Sequence, residues 1–508
     1  MSPSLAQLVA GLEDRRIILS AEDGQLRYRA PPGALDEDTR ALLRTQREAL
    51  TDFLMAREAG RALRAAGPQD GPLTPSVAQE MFYRFASGPC QGQPISLNIG
   101  MAGRLRDARP ADVTDAIAAL VARHAALRTR IIRHDEPLQF ALNRAEDFSI
   151  GFTDASDAAD GEAAAQTVVA QVFGDHIPVE APWLFRAHVV ALPGGDAAAV
   201  MAANHVIADA GSRNILLEEI QDYLDARAGR NPAPRPPSLA YNAHALGERA
   251  FLDGPGGARL VDYWRRWYGR QPVMVAPSGT AMVWGTGTRI VNNFTLPRAM
   301  LDKVDRLAAE HGATPFLVFL GIFSQALAGW SGMERFPVRV LGDRRARLDL
   351  SGTVGLMLCA DPVDVSAPPG QDFPALMRAL LAEYEASVAM RLPSVHFYAP
   401  HCVRPGIEER DFPNRIPAVF NYYAGGTARE RADRRAISGA ATAPWPPQVT
   451  RLAPQSWPVR PSAPLFLHLV DMGDTMSVSL HFLAEAVGQA DEQAFIAALF
   501  RQFDTVLS

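Results

Sequence analysis

The stretch AAAVMAANHVIADAGSRNILLEE, residues 197–219, organises the reading of the chain. Ala197 to Ala203 form a continuous apolar run, which predicts a buried strand. From Ser212 to about Ala226 the pattern predicts a helix. Between them lie Asn204, His205 and Asp209, where a strand end leads into a turn. Such a place holds a side chain rigidly enough for chemistry. A histidine can take and return a proton near neutral pH. Asp209, four residues on, has two readings: it orients the imidazole, or it locks the turn by pairing with an arginine. The same residues also fit a histidine that is simply hydrogen-bonded at the end of a core strand, and the H-x-x-x-D spacing alone does not separate these.

Working outward, strands and helices alternate from Leu73. Pro110 to Leu127 is an amphipathic helix, and RTRIIR after it reads as a strand. Leu184 to Ala191 is a second apolar strand, separated from Ala197 by Pro193-Gly194-Gly195. After the 212–226 helix comes GRNPAPRPPS, a proline-rich loop and the expected boundary between two halves. The second half predicts helices at 298–310 and 315–328, and strands near Val338 and Val354. A strand pair follows at 465–470 and 476–482, joined by Asp471-Met472-Gly473-Asp474, and a terminal helix spans 491–506. The expected fold class is mixed α/β.

The first sixty residues read as a unit of their own. Leu5, Leu8, Val9 and Leu12 have helical spacing after Ser4, a candidate N-cap. RRIILS and QLRYRA are short strands around Glu22-Asp23-Gly24, which predicts a hairpin. A second helix runs from Asp36 to about Arg64, with Leu42, Leu43, Leu50, Phe53 and Leu54 as its apolar stripe and acidic residues in its first turn. Residues 67–72 are a linker by composition. The expected division is 1–66, 73–236 and 237–508.

Composition bounds the function. The chain has 508 residues, 50 basic and 56 acidic, with a formal net charge of −6. That length gives a prior of about three domains, and the charge does not favour nucleic acid or anionic membrane. The three cysteines, Cys90, Cys359 and Cys402, are far apart, which excludes a disulfide framework and a short-spaced zinc site. No apolar run is long enough to span a bilayer, and the N-terminus lacks the pattern of a signal peptide. A reducing, cytoplasmic location is expected. His124, His134, His176, His188, His244, His311, His396, His401 and His468 have no carboxylate or cysteine at metal-ligand spacing and read as ordinary, and no metal site is expected. The cluster Tyr263, Trp264, Trp267 and Tyr268 reads as packing.

Over most of its length the chain resembles the condensation domains of nonribosomal peptide synthetases. Their HHxxxDG motif stands here as NHVIADA. LTPSVAQEMFY at Leu73 resembles the family's opening motif, and VARHAALRTRI at Val121 its helix-to-strand pattern. The segment from Tyr223 to DYWRRWYGR resembles the hinge between lobes. GDRRARLDLSGTVGLML at Gly342 and VFNYY at Val419 follow in the family's order. The opening sixty residues are similar to the tubulysin-type β-hairpin docking domain. The resemblance implies two chloramphenicol-acetyltransferase-like lobes in a V shape, with the active site in a tunnel between them. It implies acyl transfer from a thioester on a carrier protein's phosphopantetheine arm to an amine or hydroxyl acceptor, free or carrier-bound, and no cofactor of the chain's own. By residue, His205 matches the functional histidine, Asp209 the structural aspartate, and Arg345 the arginine that would pair with it. Backbone near the reacting carbonyl would come from Ala210 and Gly211. The docking unit would bind a short tail of an upstream carrier protein at a strand edge, with Arg15, Arg16, Arg27 and Arg29 meeting acidic residues. A monomer is expected.

The sequence departs from the family's motif at Asn204, where the first histidine stands, and at Ala210, where a glycine stands. Asparagine can still donate and accept hydrogen bonds. Alanine removes the conformational freedom of glycine, with Gly211 next to it. His481 occupies a segment where the family often has tyrosine, and reads as strand packing. Two functions follow: a condensing enzyme that forms an amide or ester, including in chain release, or a catalytically silent condensation-like platform that recruits a carrier protein or a tailoring enzyme.

Overall fold

The computed structural model of the protein describes residues 8–9, 11–12, 15–22, 25–31, 33–47, 50–51, 54, 72–86, 98–135, 137–230, 240–343, 345, 350–368, 370–389, 416–423, 455–471 and 475–507. The expected helix start at Ser4 and Leu5, the hairpin turn at 23–24, Phe53, the end of the second helix at 55–64, linker residues 67–71, residues 231–238 of the proline-rich loop, Cys90, Cys402 and the turn at 472–474 lie outside them.

The N-terminal unit is a two-stranded antiparallel hairpin, β1 (Ile18–Glu22) and β2 (Gln25–Arg29), followed by helix α1 (Glu37–Thr45). Asp36 caps α1 by accepting from the Thr39 amide at 2.8 Å. Val9, Leu12, Ile17, Leu19, Leu43, Leu50 and Leu54 form its own small core. Leu42 leaves the expected stripe and is exposed. Successive helical residues point about 100° apart, so Leu42 and Leu43 cannot both face one narrow core.

The next unit centres on a four-stranded sheet in the order β3-β8-β7-β6, with β3 at Asn98–Leu105, β6 at Gly151–Asp154, β7 at Phe185–Ala191 and β8 at Ala197–Asn204. A small pair, β4 (Thr129–Arg133) and β5 (Gln139–Leu142), lies apart. Helices α2 (Val77–Ala86), α3 (Pro110–Arg123), α4 (Gly161–Gly174) and α5 (Ala210–Arg227) surround this sheet. Every residue of β8 is buried, because the strand is flanked on both edges and covered on both faces. That explains its unbroken apolar run in place of alternation. Buried His124 at the end of α3 lies 2.7 Å from Glu219 of α5, fixing the two helices to each other.

Helices α6 (Tyr241–Asp253) and α7 (Pro255–Arg270) lead into the second lobe. Trp264, Trp267 and Tyr268 of α7 pack with Val77, Leu252, Leu260 and Ile416, the packing role expected of them. The second lobe is built on seven strands in the order β11-β10-β12-β14-β15-β9-β13. These are β9 (Gly285–Pro297), β10 (Arg335–Asp343), β11 (Leu358–Ser366), β12 (Ala418–Tyr423), β13 (Gln455–Ser462), β14 (Leu465–Asp471) and β15 (Thr475–Leu483). Helices α8 (Arg298–Glu310), α9 (Pro315–Ser331), α10 (Phe373–Ala389) and α11 (Gln489–Leu507) pack on one face. There Leu465, Leu467 and Leu469 of β14 and Met476, Val478, Leu480 and Phe482 of β15 are buried. The other face carries Phe466 and His468 of β14 and Ser479 and His481 of β15. The alternation is that of a sheet with one face in a helix-covered core.

No strand forms at Val354. The strand in that region begins at Leu358, because the preceding backbone is bonded across the lobes instead of to a neighbouring strand. Leu350, Val354, Leu356, Met357 and Ala360 pack into the core of the first lobe, beside Tyr241 and Ala245. Gly355 is required at its place, since a Cβ there would stand 1.8 Å from the Tyr241 ring. No single described helix is long and apolar enough to cross a membrane.

Candidate active site

β8 delivers Asn204 and His205 to the junction of the lobes. Asn204 is fully buried and stitches the strand end to its surroundings. Its Nδ2 donates to the Ile177 carbonyl at 2.8 Å, and its Oδ1 accepts from the Val206 amide at 3.0 Å. These are a donor and an acceptor used at once, which asparagine supplies in a short side chain.

His205 turns to the other side. Its Nδ1 is 2.8 Å from the Ala208 carbonyl oxygen. A carbonyl only accepts, so Nδ1 carries the proton and Nε2 holds the lone pair. Among the described residues no hydrogen bond occupies Nε2. The Phe82 ring packs against the imidazole with centroids 4.5 Å apart. Burial pushes the His205 pKa below its ordinary 6.5, against the opposing pull of the Asp209 charge and the local hydrogen bonds. The imidazole is therefore neutral at neutral pH and is held in one tautomer, a state suited to accepting a proton.

Asp209 takes the second of the two roles open to it. It does not hold the imidazole; it caps α5 and binds the other lobe. Its Oδ1 accepts from the Ser212 amide at 2.8 Å and the Asp209 amide donates back to Ser212 Oγ at 3.3 Å, a capping box; the Ser212 hydroxyl also donates to Oδ1 at 2.9 Å. Arg345 approaches side-on, with Nη2 2.8 Å from Oδ1 and Nη1 3.0 Å from Oδ2. The Met357 amide donates to Oδ2 at 2.7 Å. Arg345 also donates to the carbonyls of Thr353 and Gly355, each at 2.8 Å, and to Asp343 at 2.7 Å. The Gly355 amide donates to Ser212 Oγ at 3.0 Å. Asp209 and Arg345 side chains are 5% and 6% exposed. Burial works to raise the Asp209 pKa, but the Arg345 charge and these donors outweigh it and hold the carboxyl below its usual range.

Ala210 opens α5 and has no positive φ. Alanine is a good helix former at such a place, so the expected cost of losing glycine does not arise. The position that needs glycine is Gly211, where a Cβ would stand 2.3 Å from Arg345 Nη1 and 2.4 Å from Asp343 Oδ2.

Several neighbours of the site were not singled out in the sequence. Tyr423, at the end of β12, donates from its hydroxyl to the Ala210 carbonyl at 3.4 Å. Arg213 of α5 lies over the Tyr423 ring, 4.9 Å from its centroid. His468 is held near pKa 4 by burial and the Arg213 charge, and His481 near 3 by burial and the Arg289 charge. Both imidazoles are neutral. His481, in β15, packs its ring against Phe466, the strand-packing role expected of it. Among the described residues no group of histidine, cysteine, aspartate and glutamate is placed to hold a metal.

At the other end of the chain the four docking arginines divide. Arg15 is held inside its unit by Asp36, Thr39 and the Ala34 carbonyl. Arg16, Arg27 and Arg29 are exposed, and each strand of the hairpin keeps one free edge among the described residues.

Residues 99–389 match the condensation domain family. The chain belongs to the condensation-domain family. Residues 5–55 match the TubC N-terminal docking domain. The condensation domain is 31% identical to the protein of a structure described as the molecular basis for condensation domain-mediated chain release from the enacyloxin polyketide synthase, with a TM-score of 0.75, covering 100% of this chain and 97% of that one. It shares its fold with SgcC5 from Streptomyces globisporus, at 19% identity and TM-score 0.63 over 86% of this chain and 98% of that one. Phosphinothricin tripeptide synthetase PhsC of Streptomyces viridochromogenes is 29% identical over 338 residues, 62% of this chain and 30% of that protein. The chain thus spans under a third of that curated relative. Its homologues are nonribosomal peptide synthetases, and its family is one of acyltransferases that form C–N or C–O bonds.

Two outcomes are expected from this geometry. Asp209→Ala strips a buried guanidinium of its bidentate partner, leaving it Asp343 as counter-charge, and lowers stability by about 3 kcal/mol, read as a fall in Tm; replacing Asp209 and Arg345 together with apolar residues costs less than Asp209→Ala alone. Separately, a proton-accepting His205 must be neutral. Because its pKa is lowered, the acid limb of kcat/KM falls below pH 6.5, and a limb above 6.5 contradicts the assigned state.

Proposed function

We propose that the chain is a condensing enzyme that moves an acyl or peptidyl group from a carrier protein's phosphopantetheine thioester to an amine or hydroxyl acceptor. The observation that carries this reading is His205, neutral, with Nδ1–H spent on the Ala208 carbonyl and Nε2 left to the substrate. In the step, Nε2 takes the proton of the acceptor N–H or O–H as its heteroatom attacks the thioester carbonyl. The C–S bond breaks, and the imidazolium returns the proton to the departing thiolate. The product is an amide or ester, and the arm leaves as a free thiol. Holding both substrates beside Nε2 makes the step effectively unimolecular, which supplies about 7–11 kcal/mol where alignment is good.

His205 is the catalytic residue in this reading. Asn204, Asp209 and Arg345 hold the turn, and the backbone at Ala210 and Gly211 lies next to the reacting centre. The boundaries at 66, 72 and 236 are proposed as unit borders. The phosphopantetheine arm arrives on a partner carrier, and the chain brings no cofactor of its own to this chemistry. Likeness to the chain-release condensation domain supports release onto an acceptor as its place in an assembly line. The hairpin's free edges and the exposed Arg16, Arg27 and Arg29 suit an acidic carrier tail that adds as a strand. The condensing unit acts as a monomer.

Intact-mass analysis of an acyl-loaded carrier mixed with amine and hydroxyl acceptors tests the reaction. His205→Ala is expected to abolish coupled product while keeping the wild-type Tm and carrier affinity. Product at near wild-type rate sinks the mechanism, and no product from the wild type despite carrier binding identifies a recruiting platform. Removal of residues 1–66 is expected to raise the Kd for the partner carrier at least tenfold, and more steeply in low salt. An unchanged Kd refutes the docking role.

A further inference from the structure

The face of the second lobe's sheet that no helix among the described residues covers reaches the active site at Tyr423, through the Ala210 carbonyl. Across this face lie Asn421 of β12, His468 of β14, Ser479 of β15 and Asn293 of β9, paired in register. His481 stands one pair further along, opposite Val291, with Arg289 Nη1 3.5 Å from its Nδ1. His468 and Asn421 are 3.4 Å apart, and Ser479 Oγ is 2.6 Å from Asn293 Oδ1. These polar side chains are uncharged except for Arg289, and the Phe466 ring lies against His468 and His481.

Arg213 is the group that these contacts leave without a counter-charge. It is half-buried over the Tyr423 ring, and among the described residues no carboxylate pairs with it. Asp343, the acid beside the first turn of α5, lies over Gly211 and is bound by Arg345. Gly211 and Arg213 are two residues apart and so about 200° apart round the helix, which places Asp343 on the other side. A half-buried guanidinium facing neutral imidazoles is poorly compensated until an anion meets it. The Arg213 charge already opposes protonation of His468, and burial drives that imidazole the same way.

We propose that this face binds the acceptor through an anionic group, a carboxylate, with Arg213 as its counter-ion. The inference rests on the condensing reading above and narrows its acceptor. Arg213 is four residues from Asp209 along α5, about 6 Å on the helix axis. An anion there belongs to a small acceptor whose nucleophile is at His205. The phosphate of a phosphopantetheine arm stands at the far end of the arm from the reacting sulfur. A carrier-bound amino acid has its α-carboxyl group tied up in the thioester, so a free α-carboxylate marks a soluble acceptor. Asn421 and His468 supply neutral polar contacts beside the ion pair.

Calorimetric binding of a panel of small amino acids and hydroxy acids, each with its primary amide, tests this on the full chain. At least one acid is expected to bind about ten- to a hundredfold tighter than its amide, the range of a charge-assisted contact. Arg213→Gln is expected to abolish that difference, with the amide's affinity unchanged, and Arg213→Lys to restore part of it. Both variants are checked for a Tm close to wild type. Equal binding of acid and amide, no acid bound at millimolar concentration, or equal weakening of both by Arg213→Gln overturns the inference. Loss of phosphopantetheine binding in Arg213→Gln with acid binding intact also overturns it and assigns the residue to the arm's phosphate. Because binding needs no turnover, acids held through Arg213 by a protein that transfers no acyl group leave this inference standing and defeat the condensing reading.

Discussion

The Asp209–Arg345 pair is the contact on which the site depends. It joins the cap of α5, in the first lobe, to the segment before β11, in the second. Two buried charges cost several kcal/mol each to desolvate, and the cost is offset only when nearly every donor and acceptor is used. Here the carboxylate takes bonds from Arg345, Ser212 and Met357, while the guanidinium also reaches the carbonyls of Thr353 and Gly355. A pair so completely satisfied favours one arrangement of the lobes over its neighbours. Gly211 and Gly355 make it possible by leaving the space that a Cβ would fill.

His205 inherits its geometry from this contact and does not bond to Asp209. The turn 204–209 is closed at one end by Asn204 and at the other by Asp209. Between them the Ala208 carbonyl fixes the imidazole tautomer. The roles are thus divided. The aspartate holds backbone, the backbone holds the histidine, and the histidine keeps one nitrogen for the substrate. At the start of α5, the second lobe's sheet brings Tyr423 and the neutral His468 to the Ala210 carbonyl and Arg213.

What was legible in the sequence was local or carried by motif. The apolar run 197–203 and the helix beyond it could be read from spacing; that Asp209 caps this helix, which starts at Ala210 and not at Ser212, could not. The arginine at 345 needed the resemblance, since no periodicity links residues 136 positions apart. Ala210 looked like a loss because glycine freedom was expected there; its place at the first helical position shows that the demand falls on Gly211. Val354 looked like a strand because its neighbours are apolar, but they pack into the opposite lobe and their backbone serves Arg345 and Ser212. Arg213, Tyr423 and His468 escaped notice because they meet only in three dimensions, on strands and a helix far apart in sequence. Arg15 was grouped with exposed arginines, and only the fold shows it bonded to Asp36.

The most direct test is residue-resolved hydrogen exchange in the wild type and in Arg345→Met. If the lobe contact and the histidine turn open together, the amides of Val206, Ile207, Ser212, Gly355 and Met357 exchange with one common opening free energy, and the variant speeds all five together. Faster exchange at Gly355 and Met357 alone, with Val206, Ile207 and Ser212 keeping wild-type protection, would contradict it.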